Sequence, residues 1–522
     1  MTPRLVLHDP ACWPSQRTAL EHIASGKVKS GDALIKALLK TSFHEDRDYN
    51  DFAGICKGGK LCKALKAADP LWWDETLPHM ANLALTSERL FPTANCDGSS
   101  TSPLHYLLPD TRATITLTRT HVASVLALAF FDAIPNGNLE PQRDMPDHLS
   151  FQFWLTDMDL GAEAHKVLCL AQYFAAARAT FASDLTDAAI DAAVAAAATG
   201  AADDTISISR LVLKEGDRAD TDTPSSWEPW LKCDAPLSAL QVVETGGIEG
   251  ATGALQADFA NEYIGGGVLH QGNVQEEIRF TISPECLVSM LICPRMRPHE
   301  AILIRNVRQY SGYTGYGGGF RCTGPHDTTH GEAWAAGPAS ARAGPPEHVL
   351  AIDASCYYYV DSSTQYESPA MLRELTKLRA ALLDGGILEL EEPVAPVRQP
   401  VKRSLGADSP RAPPDPDDGG SSTLERRRAF ATGNWGCGVF GGDARLKALL
   451  QWIAASRAGR PVLYYPFGDP RASGLAETAA KLLAANVTVG QLTRSLLDSQ
   501  QEMSQGRAFA CVEKILSCAP RE

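Results

Sequence analysis

An amide followed by two carboxylates, Gln275, Glu276 and Glu277, is the group of residues in this sequence best suited to chemistry. Carboxylates protonate or orient glycosidic oxygens when sugars are hydrolysed. Three consecutive glycines precede this group across a short spacer: Gly265, Gly266 and Gly267. Glycine adopts backbone angles closed to other residues and lets a ligand touch the main chain. The pattern therefore predicts a site that holds a sugar against the backbone and acts on its glycosidic bond.

Glu276 and Glu277 are neighbours in the sequence, and on a helix neighbouring side chains point about 100° apart. This is a poor match for the carboxylates of ordinary glycosidases, which face each other about 5–9 Å apart across the scissile bond. We therefore expect one glutamate to face the bond and the other to orient sugar hydroxyls. Without the glycines and Gln275, such a pair would be typical of a solvated helix start.

Residues 255–263 form a strand-like run that brings Asp258 and Asn261 close to the glycines. Asparagine offers both a donor and an acceptor, which suits the hydroxyls of a ribose. Either residue alone would favour a turn or a cap. Because both precede the glycines and the acidic pair, we interpret them as part of the same binding site.

A second glycine-rich segment, residues 431–443, leads into a helical pattern with Asp443 as a candidate N-cap. Backbone N–H groups at the start of a helix bind anions, and here they would suit a diphosphate. The spacing of Gly436, Gly438 and Gly441 also satisfies the dinucleotide fingerprint. No acidic residue follows at the distance of about 20 residues that an NAD site requires. A phosphate-binding loop is favoured, and an NAD-dependent oxidoreductase stays as an alternative.

Two aromatic segments suit a nucleobase or a ribose. Tyr310, Tyr313 and Tyr316 are spaced by glycines and predict a mobile aromatic loop, with plain packing as the alternative. Phe467 ends a strand-like run at the expected ligand-binding edge of an α/β sheet, where an exposed ring stacks on adenine. A position in the core is the alternative for Phe467.

Two halves with different patterns must position these segments. The apolar spacing of residues 1–230 is mainly helical, for example at 30–39, 120–133 and 164–178. Residues 231–522 alternate short β-rich runs with helical ones, which predicts an α/β layered domain. The predicted strands are 239–243, 255–263, 301–307, 349–354 and 462–465, and the predicted helices are 371–383 and 443–455.

Two stretches fit neither pattern. Residues 393–422 are rich in proline and poor in apolar side chains, so they cannot offset their ordering entropy and are predicted to be disordered. Residues 184–202 are rich in alanine, which leaves two interpretations open. They form either a helix with a small-residue packing face or a loosely ordered insertion.

The composition of the 522 residues argues against several classes of protein. Proteins that coat a long polyanion are usually basic, so the net charge of −14 predicts a local anion pocket and no direct DNA binding. The 13 cysteines include no CxxC pair, which argues against disulfide frameworks and zinc ribbons. The sequence has neither an apolar leader nor an uninterrupted apolar run of about 18 residues. We expect a protein of the nucleus, the cytoplasm or both, without membrane contact.

Several of these blocks resemble eukaryotic poly(ADP-ribose) glycohydrolase, the enzyme that removes ADP-ribose units from poly(ADP-ribose). The similar blocks are 258–280, 313–316, 432–449 and 465–469, and the similarity extends with gaps over residues 117–489. The resemblance implies a macrodomain, with a mixed β-sheet sandwiched between helices, at 231–522 and a helical accessory domain at 1–230. It implies hydrolysis of ribose–ribose O-glycosidic bonds without a metal or other cofactor. Poly(ADP-ribose), ADP-ribosylated proteins and the product ADP-ribose are the implied partners.

The resemblance also implies roles for individual residues. Glu277 matches the catalytic glutamate that protonates the glycosidic oxygen and later activates water, and Glu276 matches its partner, which orients the ribose. The positions matched to substrate binding are Ile248, Glu249, Asp258, Asn261, Gly265, Gly266, Gly267, Gln275, Tyr316, Asn434, Gly436, Cys437, Gly438, Val439, Phe440 and Phe467. Within this set, Asn434 and the loop 436–440 match the diphosphate site, Tyr316 the clasp over the ligand, and Phe467 the ring that stacks on adenine.

The spacer 270–273 and the insertion 393–422 depart from the animal members of the family, whose long N-terminal region is also missing. We expect a compact form of the fungal kind. Neither departure removes a catalytic group, so activity is still expected. A macrodomain that binds ADP-ribose without cleaving it is the second candidate function. Such readers lack two glutamates after the glycines, so Glu276 and Glu277 favour the enzyme.

Overall fold

The computed structural model describes residues 5–44, 46–56, 59–92, 104–135, 144–199, 205–218, 223–326, 346–387, 390, 427–507 and 509–518. The strands are β1 (Ala113–Thr118), β2 (Thr205–Val212), β3 (Leu240–Val242), β4 (Leu255–Asp258), β5 (Glu300–Val307), β6 (Ser311–Thr314), β7 (Arg321–Pro325), β8 (Glu347–Ala351), β9 (Phe430–Gly433) and β10 (Val462–Tyr465). Eight of them form one sheet in the order β1-β2-β5-β8-β4-β9-β10-β3, and β6 and β7 form a separate hairpin.

The α-helices cover both faces of this sheet. They are α1 (Trp13–Ala24), α2 (Gly31–Thr41), α3 (Leu61–Ala68), α4 (Leu77–Leu90), α5 (Arg119–Phe130), α6 (Ala162–Ala179), α7 (Asp187–Thr199), α8 (Pro224–Leu231), α9 (Gln275–Ile282), α10 (Val288–Ile292), α11 (Ser368–Arg379), α12 (Ala444–Arg457), α13 (Leu475–Ala484), α14 (Val489–Leu497), α15 (Gln500–Ser504) and α16 (Ala510–Cys518).

The sheet is antiparallel at one end and parallel at the other. β1, β2, β5 and β8 pair antiparallel, whereas β8, β4, β9, β10 and β3 pair parallel. Parallel strands bring their carboxyl ends to one edge, and in open α/β sheets ligands bind outside that edge. The segments that leave β4, β9 and β10 carry most of the predicted site residues.

The alternation of β5 shows how the sheet separates two apolar cores. Ile302 and Ile304 belong to the core shared with the helices of the first half of the chain. Ala301 and Leu303 belong to the core on the other face, which includes side chains of α11 and α12. Because successive side chains of a strand point to opposite faces, burial on both sides gives a continuous apolar run rather than an alternating one.

The predicted fold class, an α/β domain with a mixed sheet and a mainly helical first half, is confirmed. β1 and β2 come from the first half, in whose mainly helical pattern no strand was predicted. The boundary near residue 230 stays a prediction. Of the two interpretations of the alanine-rich stretch, the structure has the helix, as α7. The insertion at 393–422 lies outside the described residues.

Among the helices that the structure describes, none combines the length and the apolar character needed to cross a membrane.

Candidate active site

A cavity of about 540 Å³ opens beside the ends of the parallel strands. Its walls include several predicted positions: Ile248, Glu249, Gln275, Glu276, Tyr316, Asn434, Gly436, Gly438, Val439, Phe440 and Phe467. Seven further predicted residues lie outside its lining: Asp258, Asn261, Gly265, Gly266, Gly267, Glu277 and Cys437. All of these except Cys437 belong to the backbone loop and acidic cluster directly behind Glu276, as the contacts below show.

Glu276 connects the start of α9 to the segment that leaves β4. One carboxylate oxygen accepts a hydrogen bond from the backbone N–H of Asn261, at 2.8 Å, and the other accepts from the N–H of Gly265, at 2.6 Å. Gln275 adds two bonds, because its amide accepts from the N–H of Phe259 and donates to the carbonyl of Ala257. The start of α9 is therefore fastened to the end of β4.

Glu277 is also fastened to the glycine loop, and in addition to the N-cap of its own helix. Its Oε1 accepts from the N–H of Gly267 at 3.0 Å, and its Oε2 accepts from the N–H of Val274 at 2.9 Å. The second bond is the helix-capping contact of a glutamate in the first turn, where the helix dipole also favours a negative charge. Backbone groups hold both oxygens in place before any ligand arrives.

Glycine is required in the middle of this loop. Gly266 has a φ of +50°, and a Cβ there would lie 2.7 Å from both Glu276 Oε2 and Glu277 Oε1. Gly265 has a φ of +93°, and a Cβ there would lie 2.5 Å from the sulfur of Met290. The groups that come close to Gly266 are the two carboxylates, while contact of a ligand with the glycines stays a prediction.

Three carboxyl groups share this buried space. Burial first, and then the charges of Asp258 and Glu277, raise the pKa of Glu276 well above its usual value. Burial and the charge of Glu277 raise the pKa of Asp258, and Arg279 opposes this shift. Neighbouring buried carboxylates cannot all ionise at little cost. The cluster therefore retains a proton beyond the pH at which isolated carboxyl groups lose theirs.

The predicted phosphate loop lies between β9 and α12. Asp443 caps α12, since its Oδ1 accepts from the N–H groups of Arg445 at 3.0 Å and Leu446 at 2.8 Å. Beneath the loop, the ammonium of Lys447 lies 4.4 Å from the ring centre of Trp435 and pairs with Glu374 at 2.8 Å. Asp443 already occupies these two N–H groups and Glu374 already neutralises the buried cation, so an anion at this loop has to be bound by other groups.

Two predicted residues of this loop are used inside the protein. The amide of Asn434 donates to the carbonyl of Pro466 and accepts from the hydroxyl of Tyr464, each at 2.8 Å. It therefore connects the phosphate loop to the segment that carries Phe467. Cys437 is buried, and its thiol faces the carbonyl of Trp435 rather than the cavity.

The aromatic residues divide between core and rim. Tyr310 is buried and donates to Glu285, so it is a packing residue. Tyr316 lies beyond the end of β6 and is 62% exposed. Phe467 is 51% exposed at a φ of +53°, so the core alternative for this ring is wrong. Residues 311–314 of the predicted aromatic loop pair with β7 as a hairpin, and the hydroxyl of Tyr313 donates to Glu249 at 2.7 Å.

Some residues of the cavity were not predicted from the sequence. Arg279 lines the wall beside the carboxyl cluster, two positions after Glu277. Arg471 lines the opposite part, pairs with Asp469 at 2.6 Å and donates to the carbonyl of Cys437 at 2.9 Å. Arginines favour bidentate contacts with phosphate. Each arginine follows a predicted motif by two residues, Arg279 after Glu277 and Arg471 after Asp469, and this position could have identified both as candidate site residues.

Comparison with known proteins gives two matching family profiles. Residues 227–473 match poly(ADP-ribose) glycohydrolase, macro domain fold, and residues 65–190 match the helical domain of the same family. Poly(ADP-ribose) glycohydrolase 1 of Arabidopsis thaliana is 29% identical over 469 residues, which cover 82% of this chain and 78% of that protein. Probable poly(ADP-ribose) glycohydrolase 2 of the same plant is 34% identical over 295 residues, 54% of this chain and 53% of its own length. Poly(ADP-ribose) glycohydrolase 1 of Caenorhabditis elegans is 32% identical over 260 residues, 47% of this chain and 27% of its own.

Proposed function

The chain belongs to the poly(ADP-ribose) glycohydrolase family, and on this premise we propose that it hydrolyses the ribose–ribose O-glycosidic bonds of poly(ADP-ribose) and releases ADP-ribose. The observation that carries the assignment to this site is the pair of carboxylates at the cavity wall, with Glu276 in the lining and Glu277 directly behind it. Glu276 and Glu277 are held by four backbone N–H groups next to three glycines.

Glu277 acts as the general acid in this proposal. Its carboxyl proton moves to the glycosidic oxygen as the bond from that oxygen to the anomeric carbon breaks, and the shortened polymer leaves with a hydroxyl. The positive charge that develops on the ribose is stabilised by the carboxylate left behind. Glu277 then takes a proton from water as the water oxygen bonds to the anomeric carbon, which restores the acid and completes ADP-ribose.

The carboxyl cluster supports this role. The raised pKa values of Asp258 and Glu276 reduce the negative charge of the buried cluster around Glu277, so the cluster as a whole retains a proton where isolated carboxyl groups would be ionised. Each carboxylate oxygen of Glu276 accepts one hydrogen bond from a backbone N–H. Each oxygen therefore has a further lone pair that can accept from a ribose hydroxyl. Its role is orientation of the sugar, and fixed geometry of this kind lowers the barrier substantially.

The rest of the cavity suits the remainder of an ADP-ribose unit. The loop at 436–440 and Arg471 hold the diphosphate, Phe467 stacks on the adenine ring, and Tyr316 covers the ligand from the rim. Asn434 acts through its hydrogen bonds to Tyr464 and Pro466, which set the distance between the diphosphate and adenine positions.

Poly(ADP-ribose) and proteins that carry it are the proposed partners, in the nucleus, the cytoplasm or both. The net charge of −14 supports recognition of a single nucleotide unit in a pocket rather than attraction to a long polyanion. Direct binding to DNA is therefore not part of the proposal.

The test is incubation with automodified poly(ADP-ribose), with the products resolved by chromatography. Release of free ADP-ribose monomers supports the proposal, and binding of the polymer without release would make the protein a reader. Glu277→Gln is the matched variant, which is expected to bind ADP-ribose but to release none.

A further inference from the structure

Lys166 is a fully buried lysine in the middle of α6, far in sequence from the acidic pair. Its ammonium donates to three backbone carbonyls of the spacer between the glycines and α9. The distances from Nζ are 2.8 Å to the oxygen of Val268, 2.7 Å to that of His270 and 2.7 Å to that of Gly272. An ammonium has three N–H donors, so this one is fully used by the loop.

Other residues of the first half of the chain cover the same spacer. The indole N–H of Trp154 donates to the oxygen of Val268 at 2.9 Å, and its ring lies 5.6 Å from the ammonium of Lys166. The rings of Phe153 and His270 make an edge contact with centres 5.2 Å apart. The spacer is therefore packed against the helical half, while its two ends belong to the macrodomain half.

The contacts continue from the spacer to Glu277. The oxygen of Gly267 accepts from the N–H groups of His270 and Gly272, each at 3.0 Å, which closes the spacer into a compact turn. The N–H of the same Gly267 donates to Glu277 Oε1. Lys166 thus fixes the carbonyls of a turn whose first residue holds the catalytic carboxylate.

We propose that Lys166 is a positioning residue for the hydrolysis, through which the helical half of the chain holds the glycine loop and the carboxylate of Glu277 in their reactive geometry. The inference rests on the role of Glu277 proposed above. It assigns the helical half a larger part in the rate of cleavage than in the affinity for ADP-ribose, because the proposed adenine and diphosphate positions lie on other segments.

The chemistry of the site explains why a lysine stands here. A buried ammonium is costly unless its donors are satisfied, and burial lowers the pKa of Lys166 to about 8 while the carboxylates of Glu163 and Glu277 oppose that shift. A neutral residue of the same length would leave carbonyls of the turn without a donor. The loop would then relax, and displacement of a catalytic group by about 1 Å costs roughly 10²-fold in rate.

The experiment compares Lys166→Met with Lys60→Met, the same change at an exposed lysine of the same half. Cleavage of poly(ADP-ribose) is measured as kcat and KM, and ADP-ribose affinity by calorimetry on the same preparations. We expect kcat of Lys166→Met to fall roughly 10- to 100-fold, with ADP-ribose affinity within about twofold of the wild type, and Lys60→Met to match the wild type. Unchanged kcat would overturn the inference, as would parallel loss of cleavage and ADP-ribose binding.

Lys166→Ala provides a second measurement that does not depend on how Lys166→Met folds. In this variant n-propylammonium is expected to restore cleavage, whereas n-propanol, which has a similar shape and no charge, is not. If both compounds restore cleavage equally, or if neither compound restores it, Lys166 is a packing residue and not a positioning residue. Glu277→Gln is assayed alongside. If this variant still cleaves the polymer, the proposed role of Glu277 is wrong. If it is inactive while Lys166→Met is fully active, only the inference about Lys166 is wrong.

Discussion

Glu276 and Glu277 are adjacent in α9, and their carboxylates are held by different backbone N–H groups. Glu276 accepts from Asn261 and from Gly265, the first glycine of the loop, whereas Glu277 accepts from Gly267 and from the N-cap of its own helix. Neighbouring helix positions diverge by about 100°, and here the divergence places the two side chains against separate donors. Their roles are therefore separable by substitution.

Glu277→Gln is expected to abolish cleavage and to keep ADP-ribose affinity. Glutamine preserves the shape of the side chain but has no carboxyl proton to give to the leaving oxygen. Its amide N–H groups must also face the N–H of either Gly267 or Val274, so a local shift of the glycine loop adds to the loss of rate. Loss of general acid catalysis costs about 10²–10⁴ in rate, and loss of the base step adds to it. Polymer cleavage and ADP-ribose calorimetry on one preparation check this, and near-normal cleavage would move the acid role to another residue.

Glu276→Gln is expected to reduce the rate less than Glu277→Gln. Both oxygens of Glu276 accept hydrogen bonds from backbone N–H groups. In glutamine one of these oxygens is replaced by an NH₂ group, which is a donor and cannot accept the N–H that faces it. The segment at Asn261 and Gly265 then shifts and the sugar is held less well. A rise in KM together with a fall in kcat distinguishes this from loss of the acid. Equal losses in the two variants would contradict separate roles.

Gly266→Ala is expected to lower cleavage by roughly 10²-fold in a folded protein. The added Cβ would lie 2.7 Å from one oxygen of each glutamate, at a φ of +50° that also disfavours alanine. Gly216→Ala is the control, because its Cβ meets no atom within 4 Å. Full activity of Gly266→Ala would mean that the carboxylates tolerate displacement.

Secondary structure could be predicted from the sequence where it depends on neighbouring residues. The strand predicted at 462–465 is β10, with the same bounds, and the helix predicted at 443–455 is α12 with Asp443 as its cap. The run predicted at 255–263 ends early, at Asp258. The next N–H groups, at Phe259 and Asn261, donate to side chains of α9 instead of to a neighbouring strand.

The parts that could not be predicted depend on contacts between distant segments. β2 alternates polar and apolar residues over 205–209, which is a strand signal, but its burial at every position depends on its pairing with β1 and β5. Lys166 was a visible anomaly, a charge within an apolar helix, but nothing in the sequence says which carbonyls it meets about a hundred residues later. Asn434 was predicted to bind the ligand, and its hydrogen bonds inside the protein depend on the fold of β10.

Phe467→Ala is expected to weaken ADP-ribose binding roughly 5- to 150-fold, because stacking on a base contributes about 1–3 kcal/mol. The ring is 51% exposed, so the melting temperature should stay close to that of the wild type. Phe467→Tyr keeps an aromatic face and should retain most of the affinity. Calorimetry and thermal unfolding are measured on all three proteins. A sharp fall in melting temperature with binding intact would make Phe467 a structural residue.

Free ADP-ribose is expected to compete with polymer for the protein, whereas heparin or DNA at equal total charge is not. The net charge of −14 opposes non-specific binding of polyanions, so affinity must come from the cavity. Competition is followed by the rate of polymer cleavage at fixed ionic strength. Strong inhibition by DNA would contradict this prediction and would indicate a local basic surface on a protein whose net charge is negative.

Glu347→Gln is expected to stabilise the protein at pH 8 and to change little at pH 5. Burial raises the pKa of Glu347, at the start of β8, from 4.5 to about 7, although its carboxylate accepts from Gln256 at 3.0 Å. Between pH 4.5 and about pH 7, the folded protein therefore binds more protons than the unfolded chain. Stability contributed by the protonated form is complete below the lower pKa and is lost as the pH rises through about 7.

Glutamine at position 347 stays neutral and keeps an oxygen that accepts from Gln256. The gain in the free energy of unfolding at pH 8 should be about 1–2 kcal/mol, less than the full shift implies because some solvent screening remains. Denaturant unfolding at pH 5 and pH 8 measures it, with the same change at the exposed Glu244 as the control. A variant no more stable than the wild type at pH 8 would show that the buried carboxylate carries no ionisation cost, because its hydrogen bonds and Arg279 already offset it.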